Sequence, residues 1–181
     1  MIQKIVLSSL AVIASLGVST AAFAVDPPAP ITVNGGQVEF SGEITNGACA
    51  VDTQDQTVQM GQVRAANLKT AGSTSASHGF KIVLKNCSTD VYKNIAIAFN
   101  GAHTSDGLLV LNDNGDAATN VGIAVYDAQG NKVTFDDTPD ASVTFHKGTN
   151  YIPFTAKYVS TKGGATAGTA NATTNFDITY S

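Results

Sequence analysis

The sequence predicts an all-β domain, a sandwich or barrel, and three observations carry that prediction. The residues are small and weakly charged, with 17 Gly, no Trp and only 13% Asp, Glu, Lys and Arg, which suits short strands better than helices with charged outer faces. Apolar residues recur with a period of two in run after run, and nearly every run is bounded by Gly, Asn or Asp. At 181 residues and 43% hydrophobic, the chain can bury one ordinary core.

The elements follow in order. Lys4, the apolar or small stretch Ile5 to Val18, and Ala22-Phe23-Ala24 form an export signal, so residues 1–24 are expected to be cleaved before Val25. A membrane anchor would need about 20 apolar residues, and Ser8, Ser9, Ser15, Ser19 and Thr20 interrupt this stretch. Val25 to Pro30 carries Pro27, Pro28 and Pro30, which lack backbone donors, and reads as an extended leader. Val38, Phe40, Gly42 and Ile44 then alternate with Glu39, Ser41 and Glu43, giving a strand with one apolar face.

Further alternations are Val58/Met60, Phe80/Ile82/Leu84, Ile95/Ile97/Phe99, Val121/Ile123/Val125, Val133/Phe135, Val143/Phe145, Ile152/Phe154/Ala156/Tyr158 and Phe176/Ile178/Tyr180. Asn34-Gly35-Gly36, Asn112 to Asp116, Ala128 to Asn131 and Lys162-Gly163-Gly164 are the turns between them, because Gly supplies positive φ and Asn or Asp tolerates it. Ala65 to Ala76 could hold a helical turn, but Gly72 and the Ser/Thr run behind it favour a loop.

Chemistry is thinly represented. Net charge is −4 and no Lys/Arg run provides the positive surface a nucleic-acid partner requires. Asn112, Asn114 and Asp116 have calcium-loop spacing, yet Asp116 is not followed by Gly and no Glu closes the loop, so a hairpin turn is expected. His78, His103 and His146 show no metal or triad motif, and Asp136/Asp137 beside Pro139 reads as a solvated loop. No catalytic residue, metal, cofactor or small-molecule substrate is expected. Cys49 and Cys87 remain in an exported chain, where an oxidising compartment favours a disulfide; closing a loop of about 38 residues is worth roughly 4 kcal/mol.

In order along the chain, several segments are similar to the major subunits of type 1-like fimbriae assembled by the chaperone/usher pathway. These are Thr32-Val33-Asn34-Gly35-Gly36 with Val38-x-Phe40-x-Gly42-Glu43-Ile44, Ala48-Cys49-Ala50-Val51-Asp52, Gln56 to Arg64, Phe80 to Cys87, Asn120-Val121-Gly122-Ile123, Ile152 to Tyr158, and the closing Phe176-x-Ile178-x-Tyr180-Ser181. The resemblance implies an incomplete immunoglobulin-like β-sandwich lacking its final strand, completed by donor-strand exchange. It implies residues 1–24 as signal peptide, 25–45 as an N-terminal extension and 46–181 as the pilin domain. Val38, Phe40, Gly42 and Ile44 would enter a neighbour's groove, and Phe176, Ile178, Tyr180 and Ser181 would form the acceptor edge and chaperone contact.

The implied partners are identical pilin subunits, a periplasmic pilus chaperone and an outer-membrane usher, with the protein ending in a fimbrium on the cell surface. From periodicity alone Val38 to Ile44 could equally be the first strand of its own domain. Two other readings stand beside the rod subunit: a minor tip or adapter pilin, and a small periplasmic β-sandwich hydrolase. The leader Val25 to Pro30 is longer and richer in proline than the family pattern.

Overall fold

The computed structural model describes residues 29–42, 44, 46–52, 55–140 and 142–181. The signal segment 1–24, with Val25 to Pro28, Glu43 and Thr45 of the extension, lies outside the described residues. The chain divides into two units, Met1–Gly42 and Glu43–Ser181.

In the first unit, residues 29–42 form no helix or strand. The Asn34 side chain accepts from the Gly36 N–H at 3.1 Å, and Gly36 sits at φ 104°, where only a residue without Cβ is unstrained. Ile31, Val33, Val38 and Phe40 are all exposed, Phe40 by 92%.

The second unit is a two-sheet sandwich. Its strands are β1 (Ala50–Val51), β2 (His78–Cys87), β3 (Asn94–Asn100), β4 (Leu109–Val110), β5 (Val121–Tyr126), β6 (Asp136–Pro139), β7 (Val143–Thr144), β8 (Gly148–Ser160) and β9 (Asn175–Tyr180). One sheet has the order β1-β2-β8-β5-β4. In the other, β3 is central: β9 pairs with it along Ile95 to Asn100, while β7 and β6 share its opposite edge. The described pairings between these strands are antiparallel.

The alternating residues meet between the sheets. Phe80, Ile82 and Leu84 of β2 pair in register with Phe154, Ile152 and Asn150 of β8. Ile95, Ile97 and Phe99 of β3 stand opposite Tyr180, Ile178 and Phe176 of β9. Phe99 is the hub of an aromatic group, edge-on to Phe154 at 5.2 Å and to Phe135 at 6.3 Å between ring centroids. Burying a side chain of this size contributes about 1.5–3 kcal/mol. Cys49 and Cys87 are bonded, tying the entry to β1 to the end of β2.

Four local expectations are corrected. Val58 and Met60 lie in no strand, because no described strand offers that segment a ladder. Val133 and Phe135 are buried to 1% but outside a strand, since the Val133 N–H donates to the Val125 carbonyl in a turn off β5. Asp136 and Asp137, expected in a solvated loop, begin β6. That strand is exposed throughout and pairs through backbone alone at a sheet edge, where Pro139 is tolerated. Within Ala65 to Ala76, Ala65–Leu68 winds one 3-10 turn that buries Leu68.

Pro153 sits inside β8 opposite Lys81. It is accommodated there because β5 covers only Thr155 to Ser160, so β8 has a single neighbour at Pro153.

Candidate functional site

Strand β9 is an edge. It bonds to β3 on one side, and no described strand pairs with its other side. Across from it, β1 pairs with Lys85 and Leu84 of β2, flanked by bonds from the Asp52 N–H to the Val83 carbonyl and from the Ser88 N–H to the Ala48 carbonyl. Between these two edges lies a cleft of about 1430 Å³. Its floor is core: Phe80, Ile82, Phe99, Ile123, Val125 and Tyr158 all reach it. One wall is the strandless segment from Asp55 to Gly61, and the other is Ala170 to Ile178 with Tyr180.

The side chains of β9 alternate as an edge strand over a core requires. Phe176, Ile178 and Tyr180 are half-buried and line the cleft, while Asn175, Asp177 and Thr179 are exposed. The Phe176 ring is 6.3 Å from that of Phe99. Ser181 does not line the cleft: its carbonyl-side oxygen accepts from the N–H groups of Lys93 at 3.0 Å and Asn94 at 2.8 Å, just ahead of β3. The acceptor residues expected from the sequence therefore separate into three on the cleft and one beyond its end.

At that end the cleft is closed by Tyr180, whose hydroxyl donates to the Cys49 carbonyl at 3.4 Å. Its ring packs edge-on to Phe145 at 6.1 Å and tilted against Tyr92 at 6.2 Å. Burial pushes the Tyr180 phenol above its ordinary pKa. Gly47 makes room for it, since a Cβ there would lie 3.2 Å from the ring and 3.2 Å from the Cys49 carbonyl oxygen. The disulfide thus fixes the lip of the cleft as well as the fold, a role the cysteine spacing does not reveal. The alternation of Val58 and Met60 was the available signal for the opposite wall.

The remaining polar candidates are used locally. Asp113 accepts from the Gly115 N–H at 2.9 Å, and Asp116 accepts from the Thr169 hydroxyl at 3.0 Å, tying the hairpin to the loop before β9. His78 opens β2, while His103 and His146 lie in two separate loops. Among the described residues no group of His, Cys, Asp and Glu is placed to hold a metal.

An immunoglobulin-like sandwich with an open cleft where a last strand would lie is the architecture of a fimbrial subunit, a pilin. The chain matches the fimbrial protein family over residues 38–181 and belongs to it. It is 46% identical to the type-1 fimbrial protein A chain of Escherichia coli, covering 98% of this chain and 100% of that one. It is 43% identical to the type 1 fimbrial subunit of Klebsiella pneumoniae, over 98% and 100% of the two chains. Among solved structures, a chaperone–usher pilus chain described in terms of rod uncoiling superposes with TM-score 0.73 at 26% identity, covering 84% of this chain and all of that one. The protein is accordingly a structural, non-enzymatic component of a surface fimbria, of the major rod-forming type, and polymerises with other pilin subunits.

Proposed function

We propose that the cleft along β9 is the acceptor for the N-terminal extension of the next subunit, and that the rod grows by this donor-strand exchange. The observation that carries the reading is the cleft itself, a core open to solvent beside an unpaired strand edge. An open edge over a bare core is a strong template for another strand. Phe176, Ile178 and Tyr180 form the acceptor edge, and Val38, Phe40, Gly42 and Ile44 supply a period-two apolar face of matching kind. Their exposure supports the donor role, with Val38 at 75%, Phe40 at 92% and Ile44 at 101%. Gly42 lets the incoming backbone approach closely. Because each subunit gives one element and receives another, the contact is heterologous and does not close.

The same reading assigns residues 1–24 to a cleaved export signal, 25–45 to the donor extension and 46–181 to the pilin domain. In transit the open edge needs cover, which a periplasmic chaperone strand provides before an outer-membrane usher passes the subunit into the fibre. Ser181, just past the cleft's end, is the residue this reading assigns to the chaperone contact, through its carboxylate.

The test compares the full mature chain with one lacking Val25 to Ile44, each co-expressed with a pilus chaperone. The intact chain should give boil-sensitive multimer ladders on a denaturing gel, and the deletion only a one-to-one chaperone complex. A deleted chain that unfolds without binding chaperone, while the intact chain stays monomeric, would place Val38 to Ile44 in its own core and end the reading.

A further inference from the structure

Four Asn-Gly pairs occur along the chain, at Asn34-Gly35, Asn46-Gly47, Asn100-Gly101 and Asn114-Gly115. Each could undergo one spontaneous reaction, in which the glycine nitrogen attacks Cγ of the asparagine side chain and ammonia leaves. Glycine, without Cβ, offers the least hindered nitrogen and the freest backbone for that approach. The reaction needs the nitrogen unengaged and the backbone free to turn, and the fold grants these conditions unequally.

Three of the pairs are held. Asn100 ends β3 and is paired on both sides, with Asp136 and with Asn175, while the Gly101 N–H donates to the Phe135 carbonyl at 3.1 Å. The Gly115 N–H donates to Asp113 Oδ1 at 2.9 Å, and the charge of that carboxylate opposes loss of the amide proton. Gly47 lies against the Tyr180 ring and the Cys49 carbonyl oxygen, each 3.2 Å from where a Cβ would stand, two residues from the disulfide.

Asn34-Gly35 differs on every count. Both residues are exposed, in a stretch that forms no helix or strand. Nothing lies within 4 Å of where a Cβ on Gly35 would be, and the Gly35 N–H has no acceptor among the described residues. The Asn34 amide oxygen is itself held by the Gly36 N–H at 3.1 Å, a bond that the positive φ of Gly36 allows. That donor polarises the Asn34 carbonyl and stabilises the oxyanion that forms as the Gly35 nitrogen closes on Cγ.

We infer that Asn34 is a site of spontaneous succinimide formation in the unassembled subunit, and that assembly halts the reaction. The bond from the Gly35 nitrogen to Cγ forms, the Cγ–Nδ2 bond breaks, and Nδ2 departs as ammonia with the former Gly35 amide proton. Water then opens the ring at either carbonyl and leaves an aspartyl or an isoaspartyl linkage at position 34. The isoaspartyl form carries the main chain through Cγ, which adds a methylene to the backbone between Val33 and Val38. Because strand side chains alternate with a period of two, the longer backbone puts Ile31 and Val33 out of step with Val38 and Phe40. An aged extension is therefore a poorer donor. In the fibre the extension is drawn into a ladder, and its amides are held as that of Gly101 is. The halt rests on the donor-strand reading above; the selectivity among the four pairs does not.

The experiment is peptide mapping by mass spectrometry after incubation at pH 8.0 and 37 °C. The samples are the mature subunit with its pilus chaperone, purified fimbriae, and the subunit unfolded in guanidinium. In the folded subunit, conversion at Asn34 should be at least tenfold faster than at Asn100 or Asn114, whereas guanidinium should bring all four pairs to similar rates. In fimbriae, conversion at Asn34 should be at least tenfold slower than in the subunit. Subunits aged before assembly should give weaker boil-sensitive ladders, and Asn34→Gln subunits aged alike should not, because the longer side chain closes its ring far more slowly. Conversion at Asn34 no faster than at Asn100 and Asn114 in the folded subunit overturns the inference. Equal conversion of Asn34 in the subunit and in fimbriae that still give ladders overturns the halt, while strand exchange itself stands.

Discussion

Replacing Asp140 by Asn should stabilise the subunit at neutral pH and leave it nearly unchanged in acid. In the folded chain the Asp140 carboxyl is raised from 3.8 to about 6 by burial and by the nearby Asp127 charge. Between those values the folded state binds more protons than the unfolded one, so stability falls as pH rises through the window. Below about pH 4 the contribution is nearly all retained; above about 6 it is lost. Converted in full, the shift would amount to about 3 kcal/mol. Only Oδ2 is sealed from water, however, and the residue as a whole is half-buried, so solvent screening reduces the term to about 1–1.5 kcal/mol. The assay is guanidinium unfolding of the subunit, saturated with a peptide of its own residues 32–45, from pH 4 to 8. The gain for Asp140→Asn should appear with the parent's midpoint decline and with an unchanged m-value. A variant equally displaced at pH 4 and pH 8, or destabilised at both, would refute the assignment of an uncompensated carboxylate.

Removing the disulfide by Cys49→Ser with Cys87→Ser should cost roughly 4 kcal/mol by the loop-length relation, read as a lower guanidinium midpoint, and should loosen the Cys49 carbonyl that Tyr180 uses. Phe99→Ala should cost about 3–5 kcal/mol, because Phe99, on the floor of the acceptor cleft, packs against Phe135, Phe154 and Phe176; a loss below 1 kcal/mol in thermal or chemical unfolding would contradict that packing. Gly168→Ala should destabilise by more than 1 kcal/mol, since a Cβ there would lie 2.5 Å from both the Ala118 nitrogen and the Asp116 carbonyl oxygen. Gly35→Ala, which meets nothing within 4 Å, is the matched control and should leave unfolding unchanged.

Much of the sandwich is legible in the sequence because its strands face one core and carry apolar residues at every second position. Phe80/Ile82/Leu84, Ile95/Ile97/Phe99 and Ile152/Phe154/Ala156/Tyr158 each turn the residues read as apolar inward. The disulfide follows from compartment chemistry, and Cys49 and Cys87 are bonded. What escapes is whatever backbone pairing decides without side-chain burial. Strand β6 is Asp136-Asp137-Thr138-Pro139, polar and exposed, held only by the edge of β3. Val133 and Phe135 show the reverse case, in which deep burial of alternate residues occurs without a ladder.

The candidate site was legible on one side only. Phe176, Ile178 and Tyr180 are half-buried on the cleft, but periodicity cannot say that no described strand pairs with the outer edge of β9. That information lies in what pairs with what, and for Val38 to Ile44 it came from family resemblance. Asp140 has no sequence signature either, because its one unusual property is a buried oxygen with no partner among the described residues.

The central claim is that the outer edge of β9 is the acceptor for the extension of another copy. Amide hydrogen exchange over Asn175–Tyr180 tests it most directly, using the chain deleted from Val25 to Ile44 with and without a peptide of residues 32–45. The peptide should slow exchange in β9 by at least an order of magnitude, and a Phe40→Asp peptide should not. Unchanged exchange in β9 with the wild-type peptide bound elsewhere, or equal protection by both peptides, would contradict it.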